Sequence, residues 1–107
     1  MKRLLAASAA VAVVAVVFAI PALAATRSVT VGDNFFRAKS LTVRKGTTVT
    51  WTWRGKVKHN VTVRQGPVKF KSGTKARGTY SKRLTKAGTY RIVCTIHPGM
   101  AMTLKVR

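Results

Sequence analysis

The stretch that decides the fold of this chain is Thr89–Met100, with the sequence TYRIVCTIHPGM, close to the C-terminus. Its first part, Thr89–Val93, has the composition and alternation of a β-strand. The loop that follows brings a thiol at Cys94, an imidazole at His97 and a thioether at Met100 within seven residues. A strand that ends in such a cluster of soft ligands indicates a metal site at one end of a β-structure.

The donor atoms of this loop favour copper. Two imidazoles and one thiolate in a trigonal arrangement, with a weakly bound methionine, define the blue-copper electron-transfer site. The loop lacks one imidazole of that set, and His59 is the only other histidine in the chain. We therefore predict one copper ion, in the Cu(I) and Cu(II) states, bound by His59, Cys94, His97 and a methionine. Zinc in the same ligand set is a lesser alternative.

Residues 1–24 have the pattern of a signal peptide. Lys2 and Arg3 are followed by the apolar run Leu4–Ile20 and by Ala22–Ala24, an A-x-A cleavage motif. We predict cleavage after this motif and export to the periplasm or to the extracellular or cell-surface space. An uncleaved membrane anchor is the alternative, because Leu4–Ala24 is about long enough to span a bilayer. Cleavage would leave no stable membrane span.

The predicted mature chain, residues 25–107, is one small domain with a modest core. Small exported domains usually gain stability from disulfides or a metal. The chain has a single cysteine, Cys94, so an intramolecular disulfide is excluded. A bound metal that holds Cys94 as a buried thiolate would both stabilise the domain and protect the thiol from oxidation.

The chain is strongly basic, with a formal net charge of +20, and Asp33 is its only carboxylate side chain. Lysines and arginines are scattered from Arg27 to Arg107 rather than clustered, which predicts a uniformly basic surface and not a nucleic-acid-binding tail. Such a surface attracts anionic partners by long-range steering. We therefore expect a monomer whose partner is an acidic redox protein or another anionic surface, and we do not expect nucleic acid binding.

Alternation of apolar and polar side chains runs through most of the mature chain and predicts short β-strands. The alternating segments are residues 28–31, 41–43, 48–53, 59–64, 89–94 and 102–107. Glycine turns separate several of them, which indicates an all-β sandwich or barrel. Residues 64–78 lack the pattern, so we predict a long surface connection without chemistry, held down by Phe70.

The same alternation predicts which side chains face inward. His59 is in phase with Val61 and Val63, whereas Asn60 is on the opposite face of that strand. Cys94 is likewise in phase with the apolar residues that precede it. Both His59 and Cys94 should therefore point inward at strand ends.

Two segments carry a resemblance to a known family. The run Thr89–Val106 is similar to the ligand loop of the small cupredoxins, the plastocyanin and amicyanin family, and His59-Asn60-Val61 resembles its upstream ligand motif. Phe35-Phe36, the strand and turn at Leu41–Gly46, and the strand around Trp51 also fit the N-terminal half of that family. The resemblance covers nearly the whole mature domain.

The resemblance implies a Greek-key β-sandwich with one type 1 copper ion held by His59, Cys94, His97 and an axial methionine. It implies that Asn60 ties its strand to the loop near Thr95, because such contacts hold metal ligands in place. It also implies that the protein shuttles single electrons between redox partners, with the edge of His97 as the electron port.

Two methionines compete for the axial position. Met100 lies three residues after His97 and matches the shorter, amicyanin-like loop, whereas Met102 matches the longer, plastocyanin-like spacing. Alternation makes Met102 the first core residue of the closing strand. We therefore predict Met100 as the axial ligand and keep Met102 as the alternative.

The sequence supports functions of other classes less strongly. A copper carrier or buffer would use the same ligands, and a basic domain that binds anionic surfaces would need no metal. We do not expect an enzyme, because the chain lacks a carboxylate pair for hydrolysis and further histidines or cysteines for a second copper centre.

Overall fold

The computed structural model describes residues 25–107, and every regular element in that range is a β-strand. The predicted all-β class is therefore confirmed. The predicted signal peptide, residues 1–24, lies outside the described residues, so its cleavage and the domain boundary stay predictions. Within residues 25–107, no helix is long and apolar enough to cross a membrane.

Alternation predicts most of the strands that are found. The strands are β1 (Thr26–Gly32), β2 (Phe35–Arg37), β3 (Ser40–Val43), β4 (Thr47–Trp53), β5 (Thr62–Gln65), β6 (Gly78–Leu84), β7 (Gly88–Val93) and β8 (Ala101–Val106). It misses β2 and β6. β2 has only three residues, and β6 is an edge strand with mostly exposed side chains, so neither carries a buried apolar alternation.

The strands form two four-stranded sheets, in the orders β2-β1-β4-β6 and β3-β8-β7-β5. β1 and β4 pair in parallel, as do β3 and β8, and the other neighbours are antiparallel. Because a parallel pair needs a crossover, the chain visits the opposite sheet between the two partners. The predicted Greek-key β-sandwich is confirmed.

The core between the sheets is centred on Trp51 of β4, which has no exposed surface. The centroid of its ring system lies 6.0 Å from that of Phe70 and 6.0 Å from that of Tyr80. The Phe70 ring is in turn 6.2 Å from that of Tyr90 in β7. Phe70 therefore holds the β5–β6 connection against the core, as the sequence predicts, because these rings bury much apolar area together.

The chain segments that carry the candidate metal ligands meet at one end of the sandwich. His59 lies between β4 and β5, and its backbone forms an antiparallel bridge with Lys75 in the β5–β6 connection. Cys94 follows the last residue of β7, and the loop from Cys94 to Met100 leads into β8. His59 and Cys94 are both buried, which confirms the predicted inward orientation.

Asn60 differs from the simple alternation. A residue on the face opposite His59 would ordinarily reach solvent, yet Asn60 is only 4% exposed. His59 and Asn60 lie between β4 and β5 and belong to neither strand. The Cys94–Met100 loop and the β5–β6 connection cover the Asn60 side chain. A buried amide needs hydrogen-bond partners, and these are found in the segments that cover it.

Candidate metal centre

Three predicted ligands come together although His59 is far from the other two in sequence. The candidate donor atoms of His59, Cys94 and His97 all lie within 4.8 Å of one another. The Nδ1 atoms of the two imidazoles are 3.0 Å apart, and Cys94 Sγ is 3.5 Å from His97 Nδ1. His59 and Cys94 are buried, whereas His97 is partly exposed. His97 is therefore the one candidate ligand of this cluster that reaches solvent.

His59 is held on both its backbone and its ring. Its N–H donates to the Lys75 carbonyl over 2.9 Å, and its own carbonyl accepts from Lys75 N–H at 3.0 Å and from Trp53 Nε1 at 3.1 Å. The ring Nε2 lies 2.9 Å from Asp33 Oδ1. With Nε2 occupied on one side, Nδ1 faces His97 on the other.

The loop that contains Cys94 and His97 is closed by its own backbone. Cys94 N–H donates to the carbonyl of Met100 at 3.0 Å, and Met100 N–H donates to the carbonyl of His97 at 3.2 Å. The Cys94 Sγ also lies 3.5 Å from the backbone N–H of Asn60, which donates to it. A hydrogen bond of this kind stabilises a thiolate, the form of cysteine that binds metal.

The Asn60 side chain joins the two ligand-bearing segments. Its Nδ2 donates to Thr95 Oγ1 at 2.8 Å, and Thr95 N–H donates back to Asn60 Oδ1 at 3.1 Å. Nδ2 also donates to Thr74 Oγ1 at 3.1 Å, and Oδ1 accepts from Thr62 Oγ1 at 2.8 Å. The contact between Asn60 and Thr95 is the one that the resemblance implies.

The two methionines have different surroundings. Met100 is 1% exposed and lines the same cavity as Cys94 and His97. Met102 lies in β8 opposite Ile92 of β7, and its Sδ accepts a hydrogen bond from Trp51 Nε1 at 3.5 Å. The Met102 thioether is therefore engaged in the core between the sheets.

Comparisons with known proteins agree with this geometry. Residues 24–107 match the family model of copper binding proteins of the plastocyanin/azurin family. The chain belongs to this family. It is 33% identical over 81 residues to amicyanin-alpha of Methylorubrum extorquens, an alignment that covers 72% of this chain and 68% of that protein.

Solved structures of similar fold include copper proteins of different sizes. A reduced, Cu(I) amicyanin variant superposes with a TM-score of 0.69 at 31% identity, covering 77% of this chain and 82% of that one. A purple cupredoxin of Nitrosopumilus maritimus has a TM-score of 0.69 at 21% identity and covers 76% and 99% of the two chains; it supports the fold alone. The copper-containing nitrite reductase of Thermus scotoductus has a TM-score of 0.66 at 30% identity, and the match covers 79% of this chain but only 22% of the reductase.

The donor set of this cupredoxin fits the metal that the family binds. Two imidazole nitrogens and one thiolate sulfur face one another at separations that allow them to share one ion, since such ligands bind at about 2.0–2.3 Å. Imidazole accepts both oxidation states of copper, and soft sulfur favours Cu(I). The predicted cofactor, one type 1 copper ion, is confirmed by the family and by this group of side chains.

Asp33 is the contributor to this region that the sequence analysis misses. It follows β1, and its carboxylate accepts hydrogen bonds from His59 Nε2 and from the backbone N–H groups of Lys56 and Val57. The hydrogen bond with His59 and those with the two backbone groups lower the pKa of Asp33 from 3.8 to about 2. The sequence does contain one signal for this residue, because Asp33 is the single acidic side chain in a chain of net charge +20.

The β5–β6 connection, to which the sequence analysis assigns no chemistry, contributes hydrogen bonds that support the site. Ser72 Oγ accepts from Val61 N–H at 2.8 Å, and Thr74 is one of the partners of Asn60. The segment therefore helps to hold the backbone next to His59. Its serine and threonine are typical of any surface turn, so the sequence offers no pattern that distinguishes them.

The Asn60 contacts predict a large effect on stability. Asn60→Ala removes four side-chain hydrogen bonds at a buried position, so we expect the free energy of unfolding to fall by about 2–4 kcal/mol. Urea denaturation of the metal-free protein measures this change without a contribution from copper. Thr62→Val is the matched control, because it removes only one of these bonds and should cost about 1 kcal/mol. Equal costs for the two variants would contradict the role of Asn60 as the main connection.

Proposed function

We propose that this protein is an exported blue-copper electron carrier that moves single electrons between redox partners in the periplasm or at the cell surface. The observation that carries the proposal is the buried two-imidazole, one-thiolate cluster with His97 as its partly exposed member. Membership of the plastocyanin/azurin family supports it. Copper, when bound, supplies a one-electron couple between Cu(I) and Cu(II).

In this proposal the copper ion would be held by His59 Nδ1, Cys94 Sγ, His97 Nδ1 and the thioether of Met100. The short separations among the first three donor atoms support their part. Burial of Met100 in the wall shared with Cys94 and His97 favours it over Met102, whose sulfur accepts the Trp51 hydrogen bond.

The protein residues act by keeping the donor atoms in one arrangement in both oxidation states. The Asn60 hydrogen bonds, the closed Cys94–Met100 loop and the His59–Lys75 bridge all restrict movement of the ligands. A site that does not rearrange lets an electron enter and leave at low cost, because little reorganisation accompanies the change of charge.

Electrons would enter and leave at His97. The neighbouring Pro98 and Gly99 are exposed, and Ile96 is 49% exposed, so the surface next to the imidazole is small and apolar. A partner can approach such a surface closely without desolvating charged groups. His59 and Cys94 are buried and would not contact a partner directly.

An enzymatic function is not part of the proposal, despite the similarity to one domain-sized part of a nitrite reductase. The chain contains two histidines and one cysteine, and the proposed site uses all three. A second metal centre built from such ligands would have to draw them from another chain.

Partner recognition in the proposal depends on positive charge close to the port. Arg64 and Arg91 line a cavity of about 530 Å³ together with Cys94, His97 and the loop between His97 and Ala101. Both arginines are exposed. Guanidinium groups bind carboxylates well, so an acidic redox protein is the partner that this surface fits best.

Copper binding gives the main test of the function. The copper-loaded protein should show intense visible absorption, an electron paramagnetic resonance spectrum of type 1 copper, and a reversible one-electron couple. Cys94→Ser should lose the visible band, because the thiolate is its source. The copper should also remain bound through repeated oxidation and reduction. Absence of the couple, or rapid loss of copper to a chelator on reduction, would favour a copper carrier instead.

A pair of methionine variants tests the axial ligand. Met100→Leu should change the visible spectrum and raise the reduction potential, because a thioether ligand is lost from the metal. Met102→Leu, the matched control, should leave both nearly unchanged and lower stability by roughly 1 kcal/mol through repacking next to Trp51. The opposite result would make Met102 the ligand.

Ionic strength tests the proposed charge recognition. Electron exchange with ferricyanide, an anionic probe, should slow as salt rises, because the Debye length falls to about 8 Å at 0.15 M. Arg64→Glu with Arg91→Glu should slow it at low salt. The control is Arg27→Glu with Arg44→Glu, which changes the net charge by the same amount. These two arginines line a cavity at the start of β1 and the end of β3, away from the candidate ligands, so the control should slow the exchange less. Equal effects would show that only net charge matters.

A further inference from the structure

We propose that Asp33 is a positioning residue of the copper site. It holds His59 in the tautomer that leaves Nδ1 free for the metal, and its negative charge stabilises the oxidised state. The inference rests on the proposed function, in which His59 is a copper ligand, and adds a residue that determines the reduction potential.

The first observation is the position of the carboxylate on the His59 ring. Asp33 Oδ1 is 2.9 Å from Nε2, while Nδ1, on the other side of the ring, is 3.0 Å from His97 Nδ1. An ionised carboxylate can only accept a hydrogen bond, so Nε2 must carry the proton. In a neutral imidazole the other nitrogen then has a free lone pair, and here that nitrogen is Nδ1.

The second observation is that Asp33 is itself fixed. It lies with Asn34 in the two-residue turn between β1 and β2, where Gly32 pairs with Phe35. Lys56 N–H lies 3.0 Å from both carboxylate oxygens, and Val57 N–H donates to Oδ1 at 3.2 Å. The carboxylate therefore connects the β1–β2 turn to the segment that leads to His59, and a carboxylate held in this way can orient the ring.

The third observation is that Gly55 makes room for the carboxylate. A Cβ atom at position 55 would lie 2.0 Å from Asp33 Oδ1 and 2.5 Å from its Cγ. Gly55 is not among the glycines with a positive φ, so space rather than backbone conformation requires glycine here. Any larger residue at position 55 would push the carboxylate away from His59.

The negative charge of Asp33 determines the direction in which this residue shifts the reduction potential. Among the described residues, no lysine or arginine forms an ion pair with Asp33, and the side-chain partner of its carboxylate is the His59 ring. A carboxylate hydrogen-bonded to a ligating imidazole increases the basicity of that ligand. A nearby negative charge also stabilises Cu(II) relative to Cu(I), because the oxidised site carries one more positive charge. Removing the carboxylate should therefore raise the reduction potential.

Two substitutions separate the charge from the hydrogen bond. Asp33→Asn keeps an oxygen acceptor but removes the charge, so the potential should rise while the His59 Nε2–H proton remains. Asp33→Ala removes both, so the potential should rise and the Nε2–H proton should exchange with solvent about tenfold faster. Voltammetry of the copper protein gives the potential, and nitrogen-15 NMR of the metal-free protein gives tautomer and exchange. Thr85→Lys is the control, because it makes the same change in net charge in the β6–β7 turn.

A second pair of variants keeps the aspartate. Gly55→Ala should displace the carboxylate, raise the potential and speed exchange of Nε2–H, as Asp33→Ala does. Gly73→Ala is the matched control, because a Cβ atom at position 73 would have no other atom within 4 Å beyond its chain neighbours. This pair also tests the inference if Asp33→Ala does not fold.

The outcomes distinguish this inference from the proposed function. Wild-type potentials in Asp33→Asn, Asp33→Ala and Gly55→Ala would overturn the effect of the charge, as would an equal rise in Thr85→Lys. A metal-free wild-type protein with its proton on His59 Nδ1 would overturn the positioning role. If the wild-type protein has no copper couple at all, the proposed function fails, and the NMR measurement alone decides whether Asp33 sets the tautomer.

Discussion

The reciprocal hydrogen bonds between Asn60 and Thr95 are the interaction on which the rest of the candidate centre depends. The centre needs donor atoms from two segments that are distant in sequence, and the single cysteine rules out a disulfide between them. The Asn60 amide joins these segments while its backbone N–H reaches Cys94 Sγ. Each bond is modest alone, but a fully satisfied buried network holds several groups in a unique arrangement.

The two tryptophans of β4 connect this network to the core. Trp51 fills the space between the sheets and donates its Nε1–H to Met102 Sδ, and Trp53 donates its Nε1–H to the His59 carbonyl. A buried indole N–H usually needs an acceptor, so the packing of these rings also fixes which polar atoms they engage. Core packing and the placement of the candidate ligands are therefore not independent. Strand β4 forms the centre of the sandwich, and its tryptophans also hold the backbone at His59 and hydrogen-bond the Met102 sulfur.

Sequence periodicity predicts the fold well because burial on one face of a strand leaves a visible pattern, as in β4 and β8. The three candidate donor residues can also be found from the sequence, since the chain has no other histidine or cysteine than His59, Cys94 and His97. Periodicity misses β6, whose exposed side chains leave no pattern, and it misses Asp33. The role of Asp33 arises from a turn, a glycine and two backbone N–H groups that meet only in three dimensions, and none of these has a periodic signature.

The single acidic side chain, Asp33, and the arginines near His97 lie beside different histidines of the candidate site. An exposed carboxylate among 21 lysines and arginines would ordinarily pair with one of them, and such a surface pair contributes little. Asp33 instead meets a buried imidazole and two backbone donors, partners that are fixed in direction. In the proposed function, the positive charges beside His97 would act on an approaching partner through solvent, where salt screens them. In our inference, the negative charge of Asp33 acts through its hydrogen bond on the buried imidazole of His59. In these two proposals, partner approach depends on Arg64 and Arg91 whereas stability of the oxidised metal depends on Asp33, so the two properties can change independently.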